Sequence, residues 1–178
     1  MIPRVIHTPK GEIEFRASNP GDLQAFRGLR LQALHDHPEA FSADYQTHFE
    51  GGDEIWKRYL DYGEHAMLYL AVHQEDLVGM TGVRMGTSPK TRHAAEIWGV
   101  YVLPGWRGLG ITDALINACC DWAHGSGAVI AKLGVTTTNQ YAVRCYERCG
   151  FVITGTDIQA IFTGGQYYDE YLMARNLS

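Results

Sequence analysis

The chain has 178 residues, 46% of them apolar and 20% charged, which suits one soluble domain, residues 1–178, with a sizeable core. Its net charge of −5, with no lysine or arginine run, argues against a nucleic-acid partner. No stretch approaches the roughly 18 apolar residues of a membrane span, and the N-terminus carries no signal-type apolar core, so a cytoplasmic protein with no membrane partner is expected.

Residues 12–17 read as a short strand. Asn19-Pro20-Gly21-Asp22 reads as a helix start, with Asn19 as cap, Pro20 at the first helical position and Asp22 in the first turn. The helix should run to about His35, and His37-Pro38 breaks it. Residues 38–52 are expected to be a loop with little regular structure, and 53–62 a second helix. Two strands follow, 66–73 and 77–85, then a loop around Pro89 and a strand over 95–103. From Ile111 the apolar residues Ala114, Leu115, Ala118, Cys119 and Trp122 trace a helical stripe that Gly125 and Gly127 end. Residues 129–136 are strand-like. Asn139 can cap a helix to about Cys149, and Gly150 stops it. Two last strands, 152–162 and 166–174, flank the hairpin turn Thr163-Gly164-Gly165.

That order, β-α-α-β-β-β-α-β-α-β-β, predicts an α/β fold: a mixed sheet, antiparallel in its middle, with helices on both faces. Strand 95–103, helix 111–124 and strand 129–136 should make a parallel crossover. A ligand then belongs at the carboxyl end of the first of these strands.

The segment 96–110, EIWGVYVLPGWRGLG, carries the most information. It reads as a strand, a glycine-rich turn with one arginine, and a helix start. Free backbone N–H groups there would face whatever sits above the helix, and such a cradle suits a pyrophosphate. Gly105, Gly108 and Gly110 lack the dinucleotide-fold spacing, and no P-loop pattern occurs.

Residues 100–112, VYVLPGWRGLGIT, resemble the acyl-coenzyme A signature of the GNAT superfamily of N-acetyltransferases, with Val102, Pro104, Arg107 and Gly110 in register. A second block of that family matches at Asn139, Tyr146, Gly150 and Phe151. The chain departs from the signature at Thr112, where Gly or Ala is usual.

The resemblance implies a GNAT-like sheet, mostly antiparallel with a central parallel βαβ unit. It implies acetyl-CoA as cosubstrate, no metal, and direct acetyl transfer to a primary amine in a ternary complex. The backbone N–H groups of Arg107, Gly108, Leu109, Gly110, Ile111 and Thr112 would hold the pyrophosphate. Arg107 would help by charge or shape the loop; Thr112 would crowd the cofactor or donate its hydroxyl. Val100 and Val102 would pair with the pantetheine arm. Asn139 would bond that arm, cap its helix, or do both. Phe41 and Tyr45 would border a small-molecule acceptor, and dimers are common among relatives. A non-catalytic acyl-CoA-binding module and a transferase for longer acyl groups stay open.

An alkyl amine is only about 0.1% neutral at pH 7, so a base is useful. Glu96 is the candidate: the resemblance implies it, since several family members carry a glutamate base at this spacing from the arginine, and simple alternation puts it on one face with Trp98, Val100 and Val102, apolar company that would raise its pKa. Tyr146 is the candidate acid for the departing thiolate, and a strand N–H near Val102 would meet the oxyanion. Cys119, Cys120, Cys145 and Cys149 form no C-x-x-C pair and read as reduced thiols. Cys145 and Cys149 lie one helical turn apart with no third ligand in view, and neither is expected to carry the acyl group. His35-Asp36-His37 reads as a surface helix end rather than a metal pair. Tyr167, Tyr168 and Tyr171 read as ordinary strand aromatics.

Overall fold

A computed structural model describes residues 4–60 and 63–178. The chain opens with a hairpin of β1 (Arg4–Thr8) and β2 (Gly11–Ala17), antiparallel and turned at Gly11, whose φ of +114° suits only glycine. The first strand went unseen in the sequence because its apolar residues are few and its edge position leaves them partly exposed. Asn19 caps as expected: its side chain accepts from Gly21 N at 2.8 Å, and Asp22 accepts from Asn19 N at 2.8 Å. Asp22 also takes the Arg16 guanidinium through two hydrogen bonds of 2.7 and 2.8 Å. That bidentate pair fixes the start of α1 (Leu23–Asp36) to β2.

Residues 38–52 are more ordered than their composition suggests. They hold a 3-10 turn, Pro38–Ala40, and a short helix, α2 (Tyr45–Glu50), capped by Asp44, which accepts from Thr47 N at 2.7 Å. Six residues give too short a window for a helical stripe to register. α3 (Asp53–Leu60) follows as expected; the anticipated end at Tyr62 lies outside the described residues.

β3 (Ala66–His73), β4 (Asp76–Met85) and β5 (Ala94–Val102) form an antiparallel meander. α4 (Ile111–Gly125) then crosses to β6 (Ile130–Thr136), parallel to β5. α5 (Gln140–Arg148) leads into the hairpin of β7 (Val152–Thr163) and β8 (Gln166–Asn176), turned at Gly164 and Gly165 with φ of +58° and +80°. The eight strands make one sheet, ordered β1-β2-β3-β4-β5-β6-β8-β7, in which β5–β6 is the parallel pair.

Two cores lie on the two faces. α4 and α5 pack Ile111, Leu115, Cys119 and Tyr146 against Ile97, Val102, Leu133 and Val135. On the other face α1 and α3 pack Phe26, Leu29, Ala33 and Trp56 against Leu68, Leu70, Met80 and Tyr101. No helix among the described residues is long and apolar enough to cross a membrane.

Candidate active site

Two strand irregularities open the sheet. β5 and β6 pair only over Ala94–Ile130, Ala95–Ala131 and Glu96–Lys132. Beyond these residues the strands part, and a cleft of about 1120 Å³ fills the fork. The second irregularity is a bulge in β5. Trp98 pairs with Gly82 and Tyr101 with Met80, so Gly99 and Val100 together oppose Thr81. Gly99 turns the bulge at φ +66°.

The bulge reverses the faces assigned by simple alternation. Ile97, Val100 and Val102 belong to the α4 side, whereas Trp98 and Tyr101 belong to the α1 side. Glu96 therefore keeps Trp98 as a face neighbour but not Val100 or Val102. It does not lie among apolar groups either. Its side chain is 53% exposed, and Arg84 clamps its carboxylate at 2.7 and 2.9 Å. Glu96 is also not among the cleft-lining residues.

The glycine turn has the form a phosphate cradle needs. Gly108 and Gly110 have φ of +78° and +77°, and a Cβ on either would meet nothing within 4 Å. The turn is therefore open toward the cleft, and its glycines serve the backbone path rather than a close contact. Gly110 is the N-cap of α4 and provides no side-chain cap, so the first-turn N–H groups face outward without one. Gly108, Gly110, Ile111 and Thr112 line the cleft; Leu109 instead packs onto the α4-side core. Arg107 lines the cleft, but its Nε donates to the Val102 carbonyl at 3.0 Å and its Nη2 meets His37 Nε2 at 3.1 Å. Of the two roles left open for it, shaping the loop is the one this geometry displays.

α5 supplies the wall facing the glycine turn. Asn139 Oδ1 accepts from Ala142 N at 3.2 Å, so the residue caps α5 while also lining the cleft. Tyr146 reaches the cleft from two turns further, is buried, and has no hydrogen bond to its hydroxyl among the described residues. Burial pushes that hydroxyl well above its ordinary value, so it stays protonated.

Across the fork, Phe41 lines the cleft, with the Arg30 guanidinium 4.6 Å from its ring centre. Tyr45 does not reach the cleft. It starts α2, stacks on Phe49 at 5.7 Å and meets His35 edge-on. Three residues of this wall escaped the sequence reading. His37 follows the last turn of α1 and lines the cleft. Trp98 lies over Gly82, where a Cβ would come within 2.1 Å of the indole. Tyr101 donates to Asp36 at 3.0 Å; burial and that bond push its hydroxyl up to about 12. The His37-Pro38 break was the one visible signal, since a residue before proline is held out of the helix.

Cys145 and Cys149 gain a neighbour that spacing did not reveal. Asp113, Cys145 and Cys149 bring three potential ligand atoms within 4.8 Å. Cys145 donates to Asp113 at 2.8 Å, and Arg148 reaches the same oxygen at 3.1 Å. Hydrogen bonding with Cys149, burial and the Asp113 carboxylate push the Cys145 thiol up, which makes it a poor nucleophile.

Known proteins resemble this chain in sequence and in fold. The acetyltransferase (GNAT) family model matches residues 31–151. An L-amino acid N-acetyltransferase, AaaT of Escherichia coli K12, is 27% identical over 168 residues, covering 92% of this chain and 98% of its own. A GNAT-family acetyltransferase from Streptococcus pneumoniae superposes with a TM-score of 0.82 at 22% identity, over 93% of this chain and 99% of its own. The yncA protein of Salmonella typhimurium, solved with its cofactor acetyl-CoA, superposes at 0.77 with 19% identity, over 93% and 94%. The matched segment runs from the middle of α1 through the glycine turn to the Gly150-Phe151 pair, and on that ground the chain belongs to the GNAT family of acetyltransferases and is an acyltransferase.

Proposed function

We propose that the protein moves the acetyl group of acetyl-CoA to the primary amine of a small molecule, with amino acids the first class to test. The observation that carries this reading is the fork of β5 and β6 ending at an open glycine cradle. Its residues fit an acyl-CoA. The N–H groups of the α4 first turn and the Gly108–Gly110 path offer a pyrophosphate site. Parted strands leave main-chain groups near Val100 and Val102 for the pantetheine amides. Asn139 caps α5 through its oxygen, and its amide nitrogen is available to the same arm.

The side chains at hand support direct attack in a ternary complex. Tyr146, protonated and at the cleft wall, can give its proton to the departing thiolate. A β5 N–H near Val102 can meet the oxyanion. Cys145 is held as a thiol, which disfavours an acyl-cysteine route. The small-molecule preference is supported by the bounded acceptor wall of His37, Phe41 and Trp98, and by AaaT, whose name assigns it L-amino acids.

The test is calorimetric titration with acetyl-CoA, with ATP as control, followed by thiol release in the presence of amino acids and small amines. Micromolar or tighter binding selective over ATP, with amine-dependent release, is expected. Binding without release for any amine would favour the acyl-CoA-binding module; no binding would end the reading.

A further inference from the structure

Glu170 has no role in the chemistry set out above. It lies on β8, paired with Thr136 of β6 and with Asp157 of β7. Partners across a ladder share a face, so Glu170 projects on the side of Thr136 and Gly134. Leu133, Val135 and Met173 take the opposite side, under α4. Gly134 lacks a side chain where the carboxylate passes: a Cβ there would come within 3.1 Å of Glu170 Oε2.

The position matters because of the fork. The parallel register Glu96–Lys132, carried two residues further, sets Gly134 across from Trp98, where the strands have separated. Gly134, Thr136 and Trp98 all line the cleft; Glu170 itself, like Glu96, stands behind the lining residues, with its carboxylate against Gly134. The acceptor wall closes over this spot, since Thr136 Oγ1 donates to the Glu39 carbonyl at 2.7 Å. Among the described residues no hydrogen bond or ion pair holds the Glu170 carboxylate. Its burial, with Asp157 beside it, pushes the carboxyl above the usual range. Glu96 is the contrasting case: its half-exposed carboxylate is already paired with Arg84 at 2.7 Å.

We propose that Glu170 receives the acceptor's ammonium group at the fork of β5 and β6 and takes the proton that the amine must lose before attack. This rests on the acetyl-transfer reading. One N–H proton passes to Glu170, which becomes the neutral acid. The freed lone pair forms the C–N bond at the acetyl carbonyl carbon, and the C–S bond breaks. A second N–H proton leaves with the thiolate by way of Tyr146. Glu170 returns its proton to solvent, so each turnover releases one proton and leaves the amide and the free thiol.

The test is Glu170→Gln, an isosteric change that breaks no recorded bond. Calorimetry should give wild-type affinity for acetyl-CoA, and the melting temperature should hold. Thiol release with an amine active in wild type should show kcat/KM down about 10²-fold near neutral pH. The deficit should shrink as pH approaches the amine's own pKa, where free amine needs no base. Glu170→Asp should recover part of the loss. The titratable groups on this side that could imitate such a profile are Asp157 of β7, Lys132 of β6, Glu96 of β5, and His37 and Glu39 of the acceptor wall; their neutral variants serve as comparisons. An undiminished kcat/KM, or a deficit equal at every pH, would overturn the proposal. So would a larger pH-dependent deficit in Glu96→Gln than in Glu170→Gln, which would return the base to β5. Wild type that binds acetyl-CoA but acetylates no amine would instead remove the acetyl-transfer reading, and this inference with it.

Discussion

The two walls of the cleft are made by different means. On the proposed cofactor side, residues 107–112 offer backbone: two glycines at positive φ and a helix start with open N–H groups. On the acceptor side, side chains from distant parts of the chain hold one another. Arg107 meets His37, Tyr101 bonds Asp36, and Thr136 bonds the Glu39 carbonyl. A backbone cradle is specified locally, by which residues permit the path. A wall of paired side chains is specified only once the sheet has brought its members together. The cofactor wall should therefore be sensitive to any Cβ at its glycines, and the acceptor wall to the loss of single polar partners.

The largest effect is expected where the acceptor wall is anchored. Asp22 is buried, accepts from Asn19 N and holds Arg16, fixing the start of the helix that ends at His37. Asp22→Ala should cost about 3 kcal/mol, because it strands a partly buried guanidinium, and should lower the melting temperature by about 10 °C. The Arg16 hydrogen bonds hold the Asp22 carboxyl below the ordinary carboxylate range. A depressed folded-state pKa means the contribution is complete above the unfolded value of about 4 and is lost as pH falls through the folded one. Wild type and variant should thus converge in stability below about pH 4, as thermal melts across pH can show, while acetyl-CoA affinity of the folded variant stays unchanged.

Next comes Tyr146→Phe. The hydroxyl has no described partner, so its removal should leave the melting temperature within a degree or two while turnover falls about 10²-fold. A single-turnover measurement at saturating acetyl-CoA reads the chemical step. Full activity would reduce Tyr146 to the packing it makes with Phe151, whose ring lies 6.3 Å away.

This contrast between walls also explains what the sequence disclosed. The helical stripe from Ile111, the cap at Asn139 and the turn at Gly164-Gly165 are local patterns, and each is found where it was expected. The glycine turn before α4 was legible for the same reason. Glu96 shows the limit: one extra residue at Gly99 flips the strand's faces, and alternation cannot register a bulge without its partner strand. Tyr45 shows another, since a loop residue's direction depends on the unforeseen α2. Glu170 was silent in the sequence because its position follows from the order β6-β8-β7, a long-range pairing.

Gly110→Ala sharpens the backbone half of the comparison. The residue sits at φ +77° with open space around its Cβ, so the change brings strain without a clash, about 1–2 kcal/mol. Relief of that strain would swing the first-turn N–H groups away from the cleft, and the acetyl-CoA Kd should rise about 10-fold. Gly127 is the control, because it has φ +92°, equally open space, and a place at the far end of the same helix. Gly127→Ala should cost comparable stability and leave the Kd unchanged. Equal loss of affinity in both variants would mean that general loosening of α4, not the cradle, governs binding.

The smallest effect concerns Thr112, in the first turn of α4 at the cleft wall. Its hydroxyl has no hydrogen bond among the described residues, and the open glycine path beside it leaves room for a phosphate. Donation to a phosphate oxygen is therefore the expected role, worth about 0.5–1.5 kcal/mol. Thr112→Ala and Thr112→Val should both weaken acetyl-CoA binding by a few-fold and to a similar extent, since both remove the hydroxyl. Crowding by the side chain would separate them: alanine, by removing bulk, would tighten binding, whereas valine, which keeps the bulk, would not. Calorimetry on the pair thus decides whether this departure from the signature obstructs the cradle or adds a side-chain donor to a turn that otherwise offers backbone.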